Sequence, residues 1–275
     1  MDMQMIQPQR GRPPRSPAPD AQRVLETAME AGHILLENGA EIFRVKETMD
    51  RICHHFGVEA RDFFVLSNGI FTTGGYCPAD QYARVQHIPV KGAQLDKVVA
   101  VNQLSRDIEA GLWDDIEAVA RRLGEIREMP GKAPWKQILA SGVGSAAFCY
   151  LFGGRAADCA VALLAGLLLY GFVLRVGTHM SKMVGSICEG ALVTLICILC
   201  YRLGFGYSMS CIIVGAIIPL VPGVPFTNGI RDIANGDYIS GAVRLLDAIL
   251  VFFCVALGVG MVFTLYHRLT GSVLL

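Results

Sequence analysis

Charged residues are divided unevenly along this chain of 275 residues. Residues 1–136 hold 36 of the 48 Asp, Glu, Lys and Arg side chains (17 basic and 19 acidic), and residues 137–275 hold the other 12. Because a charged side chain is costly in hydrocarbon, this asymmetry predicts a soluble N-terminal half and a membrane-embedded C-terminal half. The formal net charge is zero, so no basic surface for nucleic acid is expected.

The sequence of the N-terminal half predicts a short tail followed by an α+β domain. Residues 1–19 are rich in proline and arginine and are expected to be disordered. Residues 20–130 show apolar periodicity for two helices, the first capped by Asp20 and separated from the second by a turn at Asn38-Gly39. Three short strands and two further helices follow, the last capped by Asp114 or Asp115. The prolines and glycine at positions 130–134 indicate a linker, and residues 131–275 are predicted to form the transmembrane domain.

Five apolar runs predict a membrane all-α bundle of about five transmembrane helices, preceded by the soluble domain. The excess of basic residues before the first run favours a cytoplasmic N-terminal domain. The protein is therefore expected to be a multi-pass membrane protein. The five runs lie at about 136–152, 157–175, 183–202, 208–222 and 240–265.

A polar, proline-rich stretch interrupts the apolar sequence between the last two runs. Proline breaks the helix ladder, and broken backbone survives in a bilayer only where protein or a watery cavity surrounds it. In transporters such interruptions often mark the substrate site, so this stretch is a candidate substrate site. A cytoplasmic loop with a basic anchor explains the same residues equally well. The candidate substrate-binding residues are Pro222, Gly223, Thr227, Asn228, Arg231 and Asp232.

Each of the polar residues in this stretch suggests a role. Arg231 is suited to a carboxylate because a guanidinium donates two parallel hydrogen bonds. Asp232 would balance an ammonium group, so the two together suit a zwitterionic amino acid, whereas Arg231 alone suits a dicarboxylate.

Ionisable residues inside apolar runs are functional candidates by default. Glu189 has no oppositely charged residue three or four positions away, and it is a candidate for carrying a coupling proton. Arg244 and Asp247 are three positions apart, and this spacing predicts an ion pair on one helix face.

The N-terminal half carries one polar motif, formed by Glu37, Asn38, Gly39, Glu41 and Arg44. A catalytic carboxylate pair or a solvated charged face would both fit it. No Walker loop, dinucleotide fingerprint, nucleophile elbow or zinc motif occurs, so no catalytic residue, metal or cofactor is predicted.

Several stretches of the chain together resemble the threonine/serine exporter family, in the order that the family has them. The resemblance covers about residues 20–265. It is carried by Leu36–Met49, Ser67–Phe71, Val221–Gly223, Thr227–Asp232, Gly236-Asp237 and Ser240-Gly241.

The resemblance implies a secondary transporter, not an enzyme, that exports small metabolites across the bacterial inner membrane. The substrates it implies are threonine and serine, or dicarboxylates such as succinate. It also implies a separate small membrane subunit or self-association, since long members of the family fuse a second multi-span half. Two alternatives from other classes stay open. One is a membrane-tethered hydrolase acting through the N-terminal domain, and the other is a regulatory domain on a membrane anchor.

Overall fold

The computed structural model describes residues 21–58, 62–74, 82–89 and 92–271. The predicted disordered tail and a cap at Asp20 lie outside this range. The chain divides into two compact units, with the boundary between Met129 and Pro130.

The first unit packs four helices with one small antiparallel sheet. Its strands follow the order β1-β2-β3, with Leu66 opposite Gly69 at the first turn and Gly69 opposite His87 at the second pairing. The elements are α1 (Ala21–Glu37), α2 (Ile42–His55), β1 (Asp62–Leu66), β2 (Gly69–Gly74), β3 (Tyr82–His87), α3 (Leu95–Glu109) and α4 (Ile116–Glu128).

The core of this unit lies where α1 meets its neighbours. The apolar face of α1 is almost completely buried, including Leu25, Ile34 and Leu35. Gly32 allows β2 and α2 to approach, because a Cβ at this position would lie 2.5 Å from Met49 Sδ and 3.0 Å from Ile70 Cδ1.

Helix α4 begins at a predicted cap. The Asp115 carboxylate accepts a 3.0 Å hydrogen bond from the Glu117 amide, which satisfies one of the otherwise unpaired donors of the first turn. Of the two residues predicted for this role, Asp115 is therefore the cap.

The second unit is entirely helical in its described residues. Short 3₁₀ turns follow two of its helices, at Gly177–His179 and Ile218–Leu220. The helices are α5 (Pro134–Leu151), α6 (Ala156–Arg175), α7 (Lys182–Arg202), α8 (Met209–Ile217), α9 (Gly223–Ala234) and α10 (Tyr238–Thr270).

Three of these helices, α6, α7 and α10, are long and apolar enough to cross a membrane. Helices α8 and α9 together make a fourth candidate span if the bent pair counts as one. The structure thus supports three or four spans, against five predicted runs. Helix α5, with Lys136 and Gln137 in its first turn, accounts for the first run but is not among the candidate spans.

Glycines set the close packing of this unit. A Cβ on Gly258 of α10 would lie 2.1 Å from the Ile187 carbonyl oxygen of α7. One on Gly190 would lie 2.6 Å from the Val255 carbonyl oxygen, in the opposite direction. Because small residues are what let helix backbones approach in lipid, α7 and α10 form one tightly packed pair.

Candidate functional site

The predicted interruption is a sharp break between two helices. Helix α8 and its 3₁₀ turn end at Leu220, α9 begins at Gly223, and the two axes differ by 65°. Pro219 and Pro222 flank the break. Proline supplies no backbone N–H and fixes its own φ, so these residues stop one helix and allow the next to start in a new direction.

Helices α8 and α9 together have the length of one bent span. The 12 residues from Met209 to Leu220 extend about 18–20 Å at 1.5–2.0 Å per residue, whereas the hydrocarbon core is about 30 Å thick. The segment before the break is therefore too short to cross a hydrocarbon core by itself, and a crossing would need α9 as well.

The polar residues predicted beside the break all lie on α9. Thr227 is exposed, and its hydroxyl donates to the carbonyl oxygens of Gly223 and Val224 at 2.9 and 3.1 Å. Asn228 is half-buried and Arg231 is exposed. The Thr227 hydroxyl is thus satisfied within the helix, and the Arg231 side chain is exposed.

Asp232 occupies a different environment from its neighbours. Its side chain is 0% exposed, and it accepts a 2.8 Å hydrogen bond from Nη1 of Arg244 on α10. A substrate ammonium group would have to displace that guanidinium. The Asp232 carboxylate is therefore less accessible to a substrate than the Arg231 side chain.

The ion pair predicted between Arg244 and Asp247 does not form, because each residue has its partner on another helix. Arg244 binds Asp232 of α9, and Asp247 pairs with Lys182 at the start of α7. Two ion pairs thus connect α10 to the helices on either side of it. Because both ion pairs join different helices, the spacing of residues along α10 alone could not predict them.

Glu189 is half-buried on α7 and lies close to the turn that connects α6 to α7. Its Oε1 is 3.4 Å from the position that a Cβ on Gly177 would take and 3.8 Å from that on Gly185. Among the side chains that the structure describes, none forms a hydrogen bond or ion pair with this carboxyl group. Two glycines therefore leave room around it.

The polar motif of the first unit forms the corner between α1 and α2. Gly39 has a φ of +82°, and the Ala40 amide donates to the Leu35 carbonyl at 2.9 Å, as in a Schellman helix end. Asn38 is buried and donates to the Ile34 carbonyl at 2.7 Å. These contacts assign a turn-forming role to both residues.

The charged members of the motif lie next to this corner. Glu37 ends α1, and the buried Glu41 precedes α2 and pairs with the half-exposed Arg44 at 3.3 Å. No group of three or more His, Cys, Asp or Glu residues in the described part of the chain has metal-binding geometry. The corner thus brings together one ion pair and a helix turn.

The profile of the family described as "Putative threonine/serine exporter" (ThrE) matches residues 26–266 of this chain. The chain belongs to this family. The match includes both units of the fold, the break between α8 and α9, and nearly all of α10. It confirms the family to which the sequence motifs pointed, and with the apolar helices it identifies a membrane protein.

Two curated relatives are similar over almost their full length. Both are described as "Probable succinate transporter subunit YjjP", one from Klebsiella aerogenes and one from Escherichia coli K12. Each is 25% identical to this chain, over 250 and 249 residues respectively, which is 88% of this chain and 94% of the relative. No solved structure matches the chain.

Proposed function

We propose that this chain is one subunit of a secondary transporter that exports small carboxylate metabolites across the bacterial inner membrane. Its N-terminal unit lies in the cytoplasm, and the substrate binds beside the α8–α9 break. Threonine or serine, after the family description, and succinate, after the name of the relatives, are the substrates to test first.

The observation that carries the proposal is the exposed Arg231 side chain on α9, the helix that directly follows the break. A guanidinium facing hydrocarbon is costly, so this face of α9 borders water or protein. In such a place Arg231 binds the substrate carboxylate, and the half-buried Asn228 adds an amide contact. Pro222, Gly223 and Thr227 shape the backbone there. Asp232, which is bound by Arg244, positions α9 and thereby Arg231.

The same exposure supports a partner. A second small membrane subunit, or another copy of this chain, would cover the polar face of α9 and close the pathway around the substrate. The relatives are themselves described as subunits, in agreement with such an assembly.

We further propose that Glu189 carries the coupling proton. Its carboxyl group is half-buried in a candidate span, and glycines border it on two sides. A carboxyl group without a fixed cation beside it can gain and lose a proton as the helices move. Neither this role nor the substrate role requires catalysis, so the chain acts as a carrier and not as an enzyme.

Efflux of labelled threonine and succinate from cells that produce the chain with its small subunit tests the proposal. Arg231→Ala should abolish efflux at an unchanged protein level, and Arg231→Lys should restore it only in part, because lysine lacks the two parallel donors. Arg202→Ala, at an exposed arginine at the end of α7, is the matched control. Normal efflux by Arg231→Ala would remove the site from α9.

A further inference from the structure

The first unit contains a polar cavity, and its residues are far in sequence from the break between α8 and α9. It is a cleft of about 500 Å³ between α1, β3 and α4, which we term the α1–α4 cleft. The residues that define it are Arg23, Glu26, Glu30, Arg84, Gly124 and Arg127. The volume falls within the range of small-molecule sites.

The cleft is lined by equal numbers of positively and negatively charged side chains. Three arginines line it, together with the carboxylates of Glu26, Glu30 and Glu128. Guanidinium groups come from all three elements, since Arg23 lies on α1, Arg84 on β3 and Arg127 on α4. A wall with equal numbers of cations and anions disfavours polyanions and polycations alike, and it matches a small molecule that carries both signs.

The present ion pairs of the cleft can exchange partners at low cost. Arg84 lies 3.3 Å from Glu26, and Arg127 lies 2.7 Å from Glu30, with both arginine side chains about half exposed. Exposed pairs of this kind contribute little to stability, because water screens the charges and the side chains lose freedom when they pair. A ligand carboxylate can therefore take over a guanidinium, and a ligand ammonium can take over a glutamate, without a large penalty.

Gly124 gives a second and independent indication of an occupant. It lies inside α4, where glycine is a poorer helix former than alanine. Packing within the chain does not require it, because a Cβ at this position would meet no atom within 4 Å. Ala120, one turn earlier, also lines the cleft. With these two small side chains on α4, a ligand in the cleft can come close to the helix backbone.

We infer that the α1–α4 cleft is a binding site for a small zwitterionic amino acid, with its carboxylate on the arginines and its ammonium on the glutamates. This site is distinct from the proposed transport site on α9. Occupancy would link α1 to β3 and α4, three elements that the ion pairs of the cleft already connect.

Calorimetric titration of the purified full-length chain in detergent, carrying Arg231→Ala to remove the proposed transport site, tests this inference. The probes are L-threonine as zwitterion, succinate as dianion and putrescine as dication. L-threonine should bind, and the other two should bind at least roughly tenfold more weakly. Equal binding of all three, or no binding of L-threonine up to about 10 mM, would overturn the inference.

Variants locate the site. In the same Arg231→Ala chain, Gly124→Leu, which projects a large side chain into the cleft from a position where a Cβ meets no atom within 4 Å, should abolish the L-threonine signal. Gly131→Leu, at an equally open position of the linker, should retain it. Gly124→Ala should fold at least as stably as the parent chain and shows that position 124 tolerates a side chain. Because Arg231→Ala is present throughout, the outcome does not depend on the transport proposal. Undiminished binding by Gly124→Leu would exclude the cleft.

Discussion

Arg244 on α10 donates a 2.8 Å hydrogen bond to the carboxylate of Asp232 on α9, twelve positions earlier in the chain. Both side chains are buried. Gly229 and Gly241 allow this closeness, because a Cβ on Gly241 would lie 2.7 Å from the Gly229 carbonyl oxygen. The ion pair thus fixes the orientation of α9 after the break, and with it the direction in which Arg231 points.

Removing one member of this pair should destabilise the protein strongly. Asp232→Ala leaves the Arg244 guanidinium buried without its carboxylate, which typically costs about 3–5 kcal/mol. We expect a clearly lower melting temperature in detergent and a smaller amount of protein in the membrane. The double variant Asp232→Leu with Arg244→Met should recover most of the loss, because an apolar pair needs no charge compensation. An unchanged melting temperature of Asp232→Ala would show that the pair does not hold α9.

Two glycines of α10 should respond in opposite ways to the same substitution. Gly258→Ala places a methyl group 2.1 Å from the Ile187 carbonyl oxygen, so α7 and α10 must move apart. Gly260→Ala meets no atom within 4 Å and replaces glycine with a better helix former. We expect a lower melting temperature for Gly258→Ala and an unchanged or higher one for Gly260→Ala. Equal effects of the two variants would contradict the packing described for this pair.

Local signals in the sequence predicted several features of single elements. The Asp115 cap, the corner at Gly39 and the interruption around Pro222 each depend on a few neighbouring residues, and each appears where it was expected. Proline, glycine and capping residues act over one turn, so their effect can be read without knowledge of the fold.

Partners across helices could not be predicted in the same way. The spacing of Arg244 and Asp247 indicated a pair within α10, but the helix packing gives each of them a partner on another helix. The α1–α4 cleft was missed for the same reason, since its arginines lie on three separate elements. The small side chain of Gly124 inside a predicted helix was the one local sign of it.

Asp158 should be essential for the stability of the helix ends around it. Its carboxylate accepts from the Arg155 amide at 2.9 Å and from the Ser208 amide at 3.0 Å, so it joins the start of α6 to the residue before α8. Asp158→Asn keeps the shape but replaces one acceptor oxygen with a donor, and each buried amide left unpaired costs about 1–3 kcal/mol. We expect a lower melting temperature in detergent. If Asp158→Asn melts like the parent chain, the carboxylate does not carry this connection.

The Cys53 thiol should be unreactive in the folded protein. Burial in the first unit raises the pKa of Cys53 to about 12, so at pH 8 only about one thiol in ten thousand is ionised. Because the folded state holds this proton more tightly than the unfolded state, its contribution to stability is complete below pH 9 and declines as the pH rises toward 12. N-ethylmaleimide at pH 8 should therefore leave Cys53 unmodified in the native protein and modify it in denaturant, as measured by peptide mass spectrometry. Rapid native labelling of Cys53 would show that the core around α2 opens on the time scale of the reaction.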